Sequence, residues 1–209
     1  MPPSLPDPSG DRIPGQLVLA SGSPRRRDLL NAMGIPFEVI PADIPEIPRE
    51  GEAPEPMALR FAKEKARAVA SLSPDEPRRW VLAADTIVVL GDRVLGKPKS
   101  PEHAVEMLMA LVGRTHQVIT GVTVTNSTGS EEFSTAVASQ VVMRPTPREE
   151  LEAYVATGEP LDKAGAYALQ GEGSRFVEAV EGSETNVIGL PVAETLMLLA
   201  NAARSERSA

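Results

Sequence analysis

The chain contains no cysteine. Disulfide bridges, thiolate nucleophiles and zinc–thiolate centres are therefore excluded. Histidine is nearly absent as well, with only His103 and His116, so a multi-histidine metal site is not expected. Aromatic residues make up 3% of the chain, which predicts an aliphatic core. No apolar run approaches the ~18 residues of a membrane-spanning helix. Residues 1–16 hold five prolines but neither the basic start nor the apolar stretch of a secretory signal. They read as a disordered leader, and the cytoplasm is the default compartment. Excess positive charge is also missing: the net charge is −8 and the pI is near 4.9. A general nucleic-acid binder needs a basic surface, so that role is disfavoured. A local cationic pocket for a small anion remains compatible with an acidic total.

What is present suffices for a folded domain. The 209 residues are 42% hydrophobic. No internal repeat or low-complexity linker interrupts them, so residues 17–203 are expected to form one domain, with 204–209 as a loose tail. Period and punctuation place strands at 17–20, 37–40, 80–90 and 93–95. A helix starts at Ser23-Pro24, with Ser as N-cap, and stops at Gly34. Further helices are expected over 54–71, 101–111 (capped by Ser100), 147–157 and 191–203. Two long β-rich runs, 115–125 and 131–143, face each other across a polar turn as an antiparallel pair. Met107–Met109 and Tyr154 are assigned to core faces, and His116 to a structural role. Helices alternating with strands, plus a long hairpin, predict an α/β fold with a mixed sheet.

The most informative residue is Asp85, set inside the apolar run Trp80–Leu90. A charge there is costly unless it is paired or binds a metal. It reads as a base, a metal ligand or a partner for Lys97, against the plain alternative of an Asp bonded to its own turn. The second signal is Ser21-Gly22-Ser23-Pro24-Arg25-Arg26-Arg27. A helix start offers free N–H groups and partial positive charge, which suits an anion. Arginines in that first turn oppose the helix dipole, and a bound phosphate chain would relieve the conflict. The alternative is an exposed basic turn.

Lys65 is the third. On a helical wheel Leu59, Ala62, Ala66 and Val69 form a stripe, and Lys65 falls within its edge, aimed inward. A snorkelling stem explains the same position. The fourth, Gly91 through Gly96-Lys97-Pro98, nearly matches a P-loop. Pro98 stands where a magnesium-binding Ser or Thr is needed, and the preceding residues read as a hairpin, so the P-loop is rejected. Lys97 remains as a point charge near Asp85 or a phosphate. The last is the segment 162–171, whose small residues allow close ligand approach and whose Gln170 amide can read a base edge. An ordinary glycine-rich loop is the competing explanation. The turn Asn186–Pro191 is given a mainly structural role.

Taken in order, Ser21-Gly-Ser-Pro-Arg25-Arg, Ala84-Asp-Thr86, Gly96-Lys-Pro98, Gly113-Arg-Thr-His-Gln-Val118, Lys163-Ala-Gly-Ala-Tyr167, Gln170-Gly and Val187-Ile-Gly-Leu-Pro191 resemble the Maf nucleoside triphosphate pyrophosphatases. The resemblance covers about residues 17–200. It implies an elongated mixed α/β fold related to inosine triphosphate pyrophosphatases, with two lobes and a central cleft. It also implies hydrolysis of a nucleoside triphosphate to the monophosphate and pyrophosphate with a divalent metal, Mg²⁺ or Mn²⁺. Within the family the pattern is similar to the branch acting on dTTP and UTP. By the same resemblance Asp85 is the proton acceptor, and Arg25, Thr86 and Gln170 govern base choice. Ser21, Arg26, Lys65 and Lys97 contact phosphates, and Glu46 joins Asp85 at the metal. A homodimer is suggested by the same likeness. Glu184-Thr185 departs from the family pattern, as does the leader. The rival reading is a non-catalytic nucleotide-binding regulator of cell division.

Overall fold

The computed structural model describes residues 16–72 and 79–208. The elements run β1 (Gln16–Leu19), α1 (Pro24–Ala32), β2 (Glu38–Val39), α2 (Pro54–Ala70), β3 (Arg79–Leu90), β4 (Arg93–Leu95), α3 (Pro101–Leu111), β5 (Thr115–Asn126), β6 (Glu132–Met143) and α4 (Arg148–Ala156). Three short 3-10 turns between Glu159 and Phe176 lead into β7 (Val177–Glu181), α5 (Glu184–Ile188) and α6 (Val192–Ser208). The strands form one helix-flanked sheet in the order β2-β1-β3-β5-β6-β7, with β4 paired to β3. β1 is parallel to β2 and β3, whereas β4 and β7 run antiparallel to β3 and β6. The mixed α/β sheet is the class expected from sequence. The turn joining β5 to β6 is too short for a crossover, which makes that pair antiparallel. The leader assigned to 1–16 lies outside the described residues except for Gln16, which already belongs to β1.

The chain divides into two compact units. The first comprises residues up to Asp85, Gly121–Ala136 and Gly189–Ala209. Here β1 and β3 are buried on both faces, which explains their nearly unbroken apolar sequences. Alternate side chains serve opposite faces. Leu17, Leu19, Trp80, Leu82 and Ala84 pack with Leu30 of α1 and with Leu198, Leu199 and Ala202 of α6. Val18, Ala20, Val81 and Ala83 pack instead with Ala66, Val69 and Ala70 of α2. Helix α2 approaches β5 closely because Gly121 has no Cβ: one placed there would lie 2.5 Å from the Ala58 carbonyl oxygen.

The second unit comprises Thr86–Thr120 and Val137–Ile188. Its core joins Leu108 and Leu111 of α3, Val118, Val141 and Met143 of the sheet, Leu151 and Tyr154 of α4, and Phe176. Helix α3 begins as expected, with Ser100 Oγ accepting from the His103 N–H at 3.2 Å. Gly91 turns β3 into β4 with φ of 58°, so the rejected P-loop is indeed a hairpin.

Three sequence expectations need correction. The 204–209 tail is not loose through most of its length: α6 continues to Ser208. It is held there by Trp80 Nε1, which donates to Glu206 Oε1 at 2.6 Å, and by a hydrogen bond from Ser205 to Glu131. Met109 is 42% exposed, because the core-facing row of α3 passes through Met107 and Leu108. Ser23 does occupy the N-cap position of α1 as expected, though without a side-chain cap bond. The segment before Pro191 is not only a turn, since it contains helix α5.

Candidate active site

The alternation of β3 decides where Asp85 points. It continues the row Val81, Ala83 and therefore faces α2. On α2 the buried residues are Met57, Ala58, Phe61, Ala62, Lys65, Ala66, Val69 and Ala70, a stripe of i, i+4 pairs. Lys65 stands in the middle of that stripe rather than at its edge, and Leu59 is only half-buried. The ammonium has no aqueous exit for a snorkelling head, since Lys65 is 8% exposed. Its charge is met inside: Nζ lies 2.6 Å from Asp85 Oδ1 and 2.5 Å from Glu46 Oε1. Asp85 is itself 5% exposed. Two carboxylates, the buried Asp85 and the exposed Glu46, thus converge on one ammonium, and the buried pair meets the charge of each with its opposite.

The start of α1 belongs to the same neighbourhood. Ser21 is buried, and its Oγ accepts from Arg26 Nη1 at 3.0 Å and from the Ser23 N–H at 3.3 Å. Arg26 Nε donates to the Gly189 carbonyl at 2.8 Å, which locks the guanidinium over the helix start. Burial lowers the Arg26 pKa, while the nearby charges of Asp85 and Glu46 raise it and that of Arg25 lowers it. The arginine that opposes the helix dipole is therefore compensated by carboxylates from other elements. Arg25 is half-buried at the same helix start. The structure brings Ser21, Arg26, Glu46, Lys65 and Asp85 into one cluster within the first unit.

Three further sequence candidates, Thr86, Lys97 and Gln170, lie in the second unit. Thr86 follows Asp85 in β3 and so belongs to the opposite row. Its hydroxyl is 2.9 Å from Thr120 Oγ1. Lys97 follows β4 and is exposed. Gln170 is exposed on the segment between the 3-10 turns. That segment is held from both sides. Tyr154 Oη accepts from the Ala168 N–H at 3.3 Å. The Glu159 carboxylate accepts from the Glu172 and Gly173 N–H groups at 3.0 and 3.1 Å, which lowers its pKa against the opposing effect of burial.

Sequence reasoning missed several contributors. Asn186 is wholly buried. Its Nδ2 donates to the Val118 carbonyl at 3.0 Å and to Ser139 Oγ at 2.9 Å. Its own carbonyl accepts from Thr120 at 3.0 Å. Gly189 contributes through a backbone oxygen, and Glu159 through the loop it ties down. An asparagine between two small-residue turns was the one signal available for the first. His116 is 2% exposed and pairs with Tyr167 Oη at 2.8 Å, in keeping with the structural role assigned to it. Burial lowers its pKa to about 4 and raises that of Tyr167.

Glu46 and Asp85 offer oxygen donors that already meet at a single positive point. Divalent cations such as Mg²⁺ and Mn²⁺ take oxygen donors of this kind, and Lys65 Nζ holds the point between these two. Among the described residues no group of three or more His, Asp or Glu side chains is placed to hold a metal. Nor is any helix among them long and apolar enough to cross a membrane.

Comparison with known proteins points to the same family. A dTTP/UTP pyrophosphatase of Nitratidesulfovibrio vulgaris is 53% identical over 184 residues, covering 88% of this chain and 86% of that protein. One from Myxococcus xanthus is 52% identical over 186 residues, covering 89% and 92% respectively. A solved dITP/XTP pyrophosphatase of Mycobacterium abscessus aligns over 92% of this chain and 96% of its own, at 14% identity and a TM-score of 0.41. The family described as Maf-like protein matches residues 16–202. With relatives this similar over nearly its whole folded length, the chain belongs to the Maf family.

Proposed function

We propose that this protein hydrolyses nucleoside triphosphates, dTTP and UTP foremost, to the monophosphate and pyrophosphate. The observation that carries the reading is the convergence of Asp85, Glu46, Lys65 and Arg26 beside the start of α1. Relatives more than half identical to it bear the corresponding name. A triphosphate brings about four negative charges, and transfer at phosphorus depends mainly on positioning and on stabilising that charge. Arg26 and the helix start receive phosphate oxygens, and Ser21, whose oxygen already accepts from Arg26, gives its own proton to one of them. Arg25 and the exposed Lys97 add positive charge.

Asp85 accepts the proton of the attacking water. Lys65 supplies the counter-charge that keeps this carboxylate in an apolar wall. The oxygen of that water forms the new bond to the α-phosphorus, the bond to the bridging oxygen breaks, and pyrophosphate leaves. Glu46 and Asp85 would hold a divalent cation, which would offset the charge developing on the phosphates. Thr86 and Gln170 read the base. The cytoplasm, where these nucleotides are made and used, is the compartment this activity calls for.

The test is pyrophosphate release by the purified protein with Mg²⁺ or Mn²⁺, across the common and modified ribo- and deoxyribonucleoside triphosphates. Release that is fastest with dTTP and UTP is expected. Tight binding without release from any triphosphate would overturn the reading in favour of a nucleotide-binding regulator.

A further inference from the structure

The Glu46 carboxylate is carried by a stretch of chain with no regular structure. From Pro45 to Gly51 every residue is exposed, and Ile47 is 66% exposed. Burial therefore does not fix this stretch against α2, and its place depends on polar contacts. These converge on Arg60, which precedes Lys65 on the same helix. Arg60 Nε donates to Glu52 Oε1 at 2.6 Å, and Nη2 donates to Glu52 Oε2 at 2.5 Å. Nη2 also donates to the Ile47 carbonyl at 3.1 Å. Nη1 lies 3.1 Å from both carboxylate oxygens of Glu64. A guanidinium holds its N–H groups in a fixed fork, and here all of its nitrogens are engaged.

Glu52 closes the stretch on itself. Its Oε2 accepts from the Arg49 N–H at 3.3 Å, and its own N–H donates to the Arg49 carbonyl at 3.1 Å. Residues 47–52 are thus gripped at both ends by one guanidinium. An ordinary surface ion pair holds little. This one is bidentate, and the Arg60 and Glu52 side chains are only 15% and 12% exposed. Ile47 directly follows Glu46, whose Oε1 is 2.5 Å from Lys65 Nζ. The Glu46 side chain is 45% exposed, so a released carboxylate would find water in place of the ammonium.

We propose that Arg60 and Glu52 are positioning residues that fix the main chain beside Glu46 and so keep its carboxylate on Lys65, next to Asp85. This rests on the functional reading above, in which Glu46 and Asp85 serve the triphosphate together. All of these residues lie in the first unit. A glutamate on an irregular, exposed segment has many placements, and confining it costs entropy each time it is needed. A main chain fixed beforehand removes most of that cost from the reaction. Helix α2 thus acts twice: Lys65 meets the carboxylates, and Arg60 holds the stretch that delivers one of them.

Two measurements on the full chain test this. Amide hydrogen exchange over residues 44–53 should quicken by about tenfold in Arg60→Met and in Glu52→Gln, while the amides of β3 keep their wild-type protection. That readout needs no turnover. Each variant should also lower kcat/KM for dTTP by about tenfold, the scale for a group that orients a ligating side chain. Glu46→Gln should cost at least as much, and adding Arg60→Met to it should cost little more, because Arg60 acts through Glu46. Lys63→Met removes a neighbouring ion pair of the same helix, with Glu132 at 3.4 Å, and should leave kcat/KM unchanged. Exchange over 44–53 that stays at the wild-type rate overturns the inference alone. So do losses from Arg60→Met and Glu46→Gln that multiply in the double variant, or a loss in Lys63→Met equal to that in Arg60→Met. If Arg60→Met does not fold, Glu52→Gln carries the same comparisons. No pyrophosphate release from any triphosphate by the wild type overturns the functional reading, and this inference with it.

Discussion

Asp85 and Thr86 are consecutive in β3, yet they enter opposite kinds of surroundings. Asp85 joins a cluster of full charges, with Lys65 against it, Glu46 on the same ammonium and Arg26 close by. Thr86 joins a neutral network of hydroxyls and one amide. The pleat accounts for the separation, because neighbouring side chains leave a strand on opposite sides. The difference is instructive. Charges act over distance and tolerate a new ligand, since each partner can trade one counter-charge for another. A neutral network acts through proton direction and tolerates no trade. The first arrangement suits an anionic ligand, and the second suits holding backbone in one place.

The comparison breaks most visibly at its charged half. Asp85→Asn keeps size and polarity but cannot take a proton. Pyrophosphate release should fall by about 10³-fold, while titration calorimetry still detects dTTP binding. Near-normal turnover would remove Asp85 from its role. Lys65→Met tests the cost of the charges themselves. It leaves the buried Asp85 carboxylate without its counter-charge, and urea denaturation should show a loss of about 3 kcal/mol. Combining it with Asp85→Asn should recover much of that loss, because the double variant strands fewer charges. Equal losses in the single and double variants would mean that Lys65 stabilises by packing alone.

The second unit, outside the neutral network, makes a contrasting prediction about acid at His116. His116 stays uncharged in the fold, with its pKa lowered from the ordinary 6.5 to about 4 by burial. The unfolded chain therefore takes up a proton that the native state refuses. Its contribution to stability is complete above pH 6.5, is lost as pH falls to about 4 and changes no further below that. Across this window the wild type should lose up to about 3 kcal/mol more than His116→Gln, as read from urea midpoints at pH 7 and pH 4.5. Parallel pH dependences in the two proteins would show that His116 titrates in the native state as it does in the unfolded chain.

Much of the charged cluster was legible in the sequence. An acid within Trp80–Leu90 and a cationic helix start both advertise a cost that only a partner or ligand relieves. Lys65 was legible in kind but not in place. The wheel weighted Leu59, whereas the buried row begins at Met57, and that shift moved Lys65 from edge to centre. The neutral network was not legible. Helix α5 has five residues, too few to show a helical period, and the small-residue turns around Asn186 do not reveal what its amide reaches. Gly121 matters because α2 passes over it, and Gly189 because Arg26 reaches its carbonyl from 163 positions away. Such contacts depend on tertiary approach of backbone, for which a sequence carries no side-chain signature.

The C-terminal segment shows the same limit at its mildest. The residues after Ala203 are small or charged and present no apolar stripe, so they read as frayed. The helix persists because Ala202 and Ala203 are buried and because Glu206 captures the indole N–H of Trp80. Trp80 is 1% exposed and stacks on Phe133 at 6.2 Å between centroids, so its ring cannot swing out to find water instead. Removing the acceptor with Glu206→Ala should cost about 2 kcal/mol, because it leaves a buried donor without a partner. Trp80 is the chain's single tryptophan, so its fluorescence reports the change directly during urea unfolding. Glu206 stands apart from both the charged cluster and the neutral network. Its loss should therefore lower the midpoint and leave the rate of pyrophosphate release unchanged. A shift in that rate would mean that α6 reaches the reacting groups through Trp80 and the row of β3 side chains beside it.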